Sequence, residues 1–430
     1  MSLRQAIRIA AAIALVLFTA RLGSAQSGVD GRAFHGLFGP AQNDQSRPSQ
    51  LDLNWSFYGA QDVDETGLLN LDAALPANQV YSGANMTLAY TRRRLHKTLT
   101  FNGMTATRYY PGLQRMVSSQ YSGDVVFTAV TSERWQVQTA GTVSYSPFYQ
   151  VTLGAAPPPL PGGAPVSPNP DYAASRQDAM LYRTYLGAQR LFGPGSSMNM
   201  SYELRYTQFL GAAEYADQRA EFRYTKPLSK SFALNLGYRQ SAVTAVSGST
   251  ESPIYGRNID VGVGYNRTLF SSSRTSVGFT SGTSTVSTAQ GSQFMVTGSA
   301  RLMRQVSRLW TAQLLYDRGV QVPDGTFTPF FSDTFTGNIS GYFNRRVMLR
   351  AFPSYARGTA GIGAQANPYD SLASTTRLEV GLGRRVAVYV EHFYYRYAFA
   401  NNTDLPPGLA GGQNRNGARV GLTLWTPVIR

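Results

Sequence analysis

Residues 198–239 read MNMSYELRYTQFLGAAEYADQRAEFRYTKPLSKSFALNLGYR, and the alternation in this stretch decides the fold. Met198, Met200, Tyr202, Leu204 and Tyr206 are apolar, and between them stand Asn199, Ser201, Glu203, Arg205 and Thr207. The pattern resumes with Ala220, Phe222 and Tyr224 against Arg219, Glu221, Arg223 and Thr225. A tight turn, Lys226-Pro227-Leu228-Ser229-Lys230, reverses the chain, and Phe232, Leu234, Leu236 and Tyr238 then alternate with Ala233, Asn235, Gly237 and Arg239. A period of two means β-strand, because successive side chains point to opposite faces. One face is aliphatic and aromatic. The other carries full charges, which a dry sandwich core would not accept unpaired. Sheets greasy on one side and charged on the other, repeated along a chain, describe a transmembrane antiparallel up-and-down β-barrel around water.

The same two-faced pattern recurs outward from this stretch. Leu51, Leu53, Trp55 and Phe57 begin a first strand, and Met86, Leu88 and Tyr90 belong to a second. Ile259, Val261, Val263 and Tyr265 oppose Asp260, Gly262, Gly264 and Asn266, while Val420, Leu422 and Leu424 oppose Arg419, Gly421 and Thr423. Short connections at 92–97, 131–134, 192–197, 227–231, 270–274, 304–308, 344–347 and 383–386 interleave with long ones near 60–80, 109–120, 148–176, 208–216, 241–257, 282–292, 318–332, 357–372 and 398–416. Such alternation predicts eighteen strands with both termini on the short-turn side, sixteen being the alternative, and an even number suits this class of barrel. Pro353 falls inside an expected strand and predicts a bend or bulge. Val386 to Tyr397 is apolar at both parities, so its facing stays open.

The chain has 430 residues, a net charge of +15 and no cysteine. Its first 25 residues have the form of a secretory signal peptide: Arg4 and Arg8, an apolar run from Ile9 to Ala20, and Gly23-Ser24-Ala25 before Gln26. Cleavage there would remove three arginines and no acid, taking the net charge from +15 to +12. The expected organisation is a signal peptide at 1–25, a polar periplasmic tail at 26–50 and an outer-membrane barrel at 51–430. Lack of cysteine removes disulfides, thiolate metal sites and a lipidated cysteine anchor. Among the 26 tyrosines and 22 phenylalanines, most are expected at the two membrane interfaces, where a ring meets lipid and its polar edge meets water. Arginines dominate the positive charge but form no basic arm or helix, which speaks against nucleic acid as a partner. Turns, lumen and lipid headgroups, lipopolysaccharide included, account for them better.

The expected pore lining is Arg183, Glu203, Arg205, Arg219, Glu221, Arg223 and Arg239, with Arg301, Arg350, Arg377, Glu379 and Arg419 further round. Two consequences follow together: a field that mildly favours anions and a ladder of cross-strand ion pairs that stiffens the wall. No catalytic, cofactor or metal site is expected. His35 and His96 read as solvated, and His392 has no serine at close spacing on its strand to activate. Gly358 to Gly363 has the look of a phosphate loop but opens no helix. The proline-rich stretch 155–170 cannot be a strand, and reads either as an external loop or as a segment folded into the pore.

With signal, interleaved turns and two-faced strands, residues 51–430 resemble the outer-membrane β-barrel porins. Leu51–Gly59, Tyr81–Tyr90 and Arg108-Tyr109-Tyr110-Pro111 look like barrels associated with exopolysaccharide export. What the resemblance implies is passive passage of polar solutes or ions, insertion by the barrel assembly machinery, and no enzymatic step. An exit component of a polysaccharide secretion system and a non-conducting surface scaffold are the alternatives. Porins usually end on an aromatic residue, whereas this chain ends Val428-Ile429-Arg430, with Trp425 upstream. The insertion signal is therefore expected to be displaced, or the last strand to stop near Pro427.

Overall fold

The computed structural model describes residues 48–64, 78–112, 116–147, 178–193, 195–210, 214–229, 231–247, 252–265, 275–307, 309–323, 327–363, 366–401 and 411–429. The expected signal peptide, the tail up to residue 47, His35 and the proline-rich stretch 155–170 lie outside them. Eighteen strands are present: β1 (Ser49–Asp64), β2 (Asn78–Arg94), β3 (Lys97–Tyr110), β4 (Met116–Ser132), β5 (Trp135–Ser146), β6 (Ala179–Phe192), β7 (Ser196–Phe209), β8 (Glu214–Pro227) and β9 (Phe232–Ser247), then β10 (Ile254–Tyr265), β11 (Thr275–Thr288), β12 (Gly291–Gln305), β13 (Trp310–Gln321), β14 (Phe330–Tyr342), β15 (Val347–Ala360), β16 (Asn367–Gly381), β17 (Val386–Phe399) and β18 (Gly412–Ile429). Each pairs antiparallel with its neighbours in sequence, and β1 pairs with both β2 and β18, so the sheet closes on itself. Closure removes the edge that would leave backbone groups unpaired in hydrocarbon.

Parity follows from two independent observations. Met200, Tyr202, Phe222, Leu236, Tyr238, Ile259, Val261, Phe294, Val296 and Val420 are each more than a third exposed, and all stand at one parity of their strands. At the other parity Phe209 of β7 shares a buried cluster with Phe330 of β14 and Tyr397 of β17, strands that are not neighbours in the sheet. Side chains of distant strands meet only across the lumen, so that parity faces inward. A continuous exposed apolar belt on the other face needs lipid to cover it.

Several expectations are corrected. β1 starts at Ser49, two residues ahead of the expected barrel start at 51. β11 and β12 are joined by the two-residue turn Ala289-Gln290, inside a stretch read as a long connection. Strands run from 12 to 18 residues, beyond the roughly 9–11 that a tilted strand needs to cross a bilayer. The two-faced pattern fades in Thr280–Thr288, where the outward Ser281, Thr283, Thr285 and Ser287 are polar while the inward Ser284 and Val286 are buried, yet the hydrogen-bond ladder continues. Pro353 causes no bulge: β15 keeps one register with β16, and Pro353 packs toward Gly337 of β14, where the ladder skips two pairs. β18 does not stop at Pro427, which pairs with Asp52, and Trp425 is buried with Met348 and Ala387. Gly193 and Gly195, with φ of 56° and 89°, supply the left-handed backbone of the β6–β7 turn.

β17 resolves the open facing. Tyr389, Glu391, Phe393, Tyr395, Tyr397 and Phe399 are buried, whereas Val390, His392 and Arg396 are exposed. The expectation that aromatics gather mainly at the membrane interfaces is therefore incomplete, because β17 turns five of its six tyrosine and phenylalanine rings, all but Tyr394, to the lumen. Val261 and its register partner Leu236 lie mid-strand on the outward face. Replacing either with Arg is expected to lower stability by about 2–4 kcal/mol, read by urea unfolding in lipid vesicles. Thr280→Arg, at the inward parity, is expected to be tolerated in the same assay.

Candidate pore wall and lumen

The inward face has two unlike halves. On β6–β9 the strand register sets Arg183 opposite Arg205, Glu203 opposite Arg219, and Glu221 opposite Arg239. Like charges facing across one rung are separated by pairing along the next. Arg183 Nε lies 2.9 Å from Glu203 Oε1, and Arg205 ion-pairs with the same carboxylate. Glu221 is held by Arg223 at 2.9 Å and Arg239 at 3.0 Å, and Arg219 reaches Asp217 at 3.2 Å. The arginines of this wall remain a quarter to a half exposed. Solvated pairs of this kind contribute about 0–1 kcal/mol each. Their main effect is therefore the field they set up along a wet wall, which bounds a cavity of about 350 Å³.

The facing half, β16–β18 with β1–β3, is packed. Glu391 bridges Arg419 at 3.0 Å and Arg377 at 3.5 Å, and Arg377 also approaches Glu379 at 3.4 Å. The Arg377 guanidinium lies 3.7 Å from the centre of the Tyr389 ring, and that of Arg419 lies between Tyr58 and Phe393. Tyr58, Tyr81 and Tyr110 continue the aromatic layer across β1–β3. At the closing seam, Arg415 of β18 ion-pairs with Asp62 of β1, and both side chains are completely buried. Tyr389 and Ser56 hydroxyls meet across the same region at 2.9 Å. Glycines make room for the rings: a Cβ at Gly417 would come within 2.3 Å of Phe393, and one at Gly421 within 2.6 Å of Tyr389.

At the end where β7 meets β8 and β13 meets β14, apolar side chains cross the lumen. Phe327, from the β13–β14 connection, packs on Tyr215 of β8 at 5.1 Å between ring centres, and Tyr215 packs on Phe209 at 5.9 Å. Val322 and Pro323 of that connection border Arg205, Thr207 and Asp217. Beside them Val243, Ile254, Val286 and Phe331 form a second buried cluster with Ile362 of the β15–β16 connection. Inward-packed side chains are thus found at Val322, Pro323, Phe327 and Ile362, whereas the stretch weighed for that role, 155–170, is outside the described residues.

All twelve residues expected to line a pore stand at the inward parity. Arg183, Glu203, Arg205, Arg219, Glu221, Arg223 and Arg239 come together on the wet wall. Arg377, Glu379 and Arg419 belong to the packed half; Arg350 is the register partner of Arg377, and Arg301 faces inward between Gly278 and Leu315. Reading the parity two residues further would have found Asp217 beside Arg219 and Tyr185 beyond Arg183, and four residues further Arg415 before Arg419. His392 faces outward and bonds Asn416 Oδ1 at 2.8 Å.

An even-stranded, closed antiparallel barrel with an apolar outer belt and charged inner wall is the architecture of an outer membrane. The chain is an outer-membrane β-barrel. No family model matches it, and no curated protein does. Among solved structures it is similar to OccK7 (OpdD) of Pseudomonas aeruginosa, at 9% identity and a TM-score of 0.46 over 89% of this chain and 99% of that one. It is also similar to OpdO of Pseudomonas aeruginosa, at 11% identity and a TM-score of 0.44 over 89% and 98% of the two chains. The siderophore receptor PirA from Pseudomonas aeruginosa matches at 10% identity and a TM-score of 0.41 over 87% and 80%. The barrel architecture is that of this chain's own closed strand ladder.

The seam pair gives a direct test of the packed half. Removing one partner of a buried ion pair costs about 3–5 kcal/mol. Asp62→Asn or Arg415→Met is expected to lower the urea midpoint of the folded barrel by that measure, and the combined Asp62→Leu/Arg415→Met variant to recover most of it.

Proposed function

We propose that this outer-membrane barrel is a channel for passive passage of small polar solutes or ions, running along the β6–β9 wall and carrying out no chemical step. The observation that carries this reading is the pairing of a lipid-facing exterior with half-exposed, mutually paired charges around an inward cavity. Five arginines (Arg183, Arg205, Arg219, Arg223 and Arg239) stand against three carboxylates (Glu203, Asp217 and Glu221) on that wall. A mild anion preference follows, and it fades as salt shortens the Debye length. Export by the signal peptide, and insertion by the barrel assembly machinery among lipopolysaccharide and lipid, complete the proposal.

The cross-lumen contact of Tyr215 with Phe327 favours a narrow channel over an exit for a polymer. A long glycan chain would need that contact to part. Planar-bilayer recording of the full refolded chain is the deciding experiment. Steady conductance with a modest anion preference at low salt is expected, and a silent barrel would overturn the reading. Arg183→Gln with Arg223→Gln is expected to leave folding intact and move the reversal potential toward cations. A Tyr215→Cys/Phe327→Cys pair, in a chain with no other cysteine, is expected to conduct the same current oxidised or reduced; a rise on reduction would instead show that this contact gates the pore.

A further inference from the structure

The cavity against the wet wall has a chemistry beyond its field, and on the channel reading this chemistry names a solute. Tyr185 stands two residues after Arg183, at the inward parity of β6, and borders the cavity. Its ring lies over Gly187: a Cβ there would come within 2.6 Å of the Tyr185 hydroxyl and 2.9 Å of a ring carbon. The glycine lets the ring lie along the wall, with one face on backbone and the other toward the cavity. Around that platform stand four amides, Gln136 and Gln138 of β5, Gln189 of β6 and Asn199 of β7. An amide offers two N–H donors and a carbonyl acceptor.

The charged groups at the same cavity are already joined to one another. Glu221 is shared between Arg223 and Arg239, and Glu203 between Arg183 and Arg205. An anionic ligand would compete with these carboxylates for the same arginines. A hydroxyl has no such conflict, since it donates to a carboxylate or amide oxygen while accepting from a guanidinium or amide N–H. A flat ring face, dense donors and acceptors, and arginines that each already have a carboxylate partner suit a neutral pyranose, whose C–H face packs on the aromatic ring while its hydroxyls fill the polar rim. The volume, about 350 Å³, lies at the small end of ligand pockets, about 300–1,000 Å³.

We propose that this cavity is a binding subsite for a neutral carbohydrate of one or two hexose units, with Tyr185 as the stacking platform. The proposal rests on the channel reading, and the two can fail separately. Conductance without sugar tests the channel. Calorimetric titration of the full chain in detergent micelles tests the subsite without needing an open pore. The probes are maltose, cellobiose and a galacturonate dimer. At least one neutral disaccharide is expected to bind and the acidic dimer to bind more weakly. Tyr185→Ala is expected to weaken neutral-sugar binding about ten-fold, and Tyr185→Phe by no more than about three-fold. Gly187→Val keeps the tyrosine but displaces its ring, and is expected to match Tyr185→Ala; it serves where the alanine variant does not fold. Binding confined to the acidic dimer, no binding by either neutral sugar, or full affinity in both Tyr185→Ala and Gly187→Val would overturn the subsite. Sugar binding by a barrel that never conducts would overturn the channel and leave the subsite standing.

Discussion

Backbone in hydrocarbon has to satisfy its own N–H and C=O groups, and the rest of this molecule depends on that constraint. A sheet meets it only by closing, so the pairing of β1 with β18 is the step that makes the other seventeen ladders tenable in a membrane. The seam is correspondingly well held. Its inner face carries the completely buried Asp62–Arg415 pair, the Ser56–Tyr389 hydroxyl contact and rings laid over Gly83, Gly417 and Gly421. A buried ion pair is weak evidence of net stability, but it penalises any register that separates its partners. At a seam joining the first strand to the last, such selection has most to do, since no short turn fixes that register.

Closure also divides the residues into two solvents, and the inward set divides again. On β6–β9 charges stay hydrated, so their pairs stabilise little but shape a field and leave room for a solute. On β16–β18 and β1–β3 the same residue types are packed among aromatic rings, where Arg377 and Arg419 gain from ring faces as well as from carboxylates. One half of the lumen is therefore wall and the other is filling. Phe327 and Tyr215 show that the filling reaches across the mouth.

The alternation at Met198–Arg239 made the strand, the parity and the barrel legible, because a period of two survives whatever the neighbours are. Counting interleaved connections gave eighteen strands for the same reason. The long connection expected at 282–292 is strand instead, because small polar residues occupy both faces of most of Thr280–Thr288 and the signal is a contrast between faces, not the hydrogen bonds themselves. Pro353 misled because an unpaired N–H can be accommodated by skipping rungs opposite Gly337 without shifting register.

The sequence by itself determined which side of each two-faced strand meets lipid, and hence which arginines and glutamates turn inward. Only the tertiary structure decided which of those inward charges stay wet, that β17 turns five of its six tyrosine and phenylalanine rings to the lumen, and that Asp62 finds Arg415 at a separation of 353 residues. The reason is physical: facing is a property of one strand and its period, whereas burial inside a barrel depends on what the opposite wall and the inward-folded connections place in the shared space.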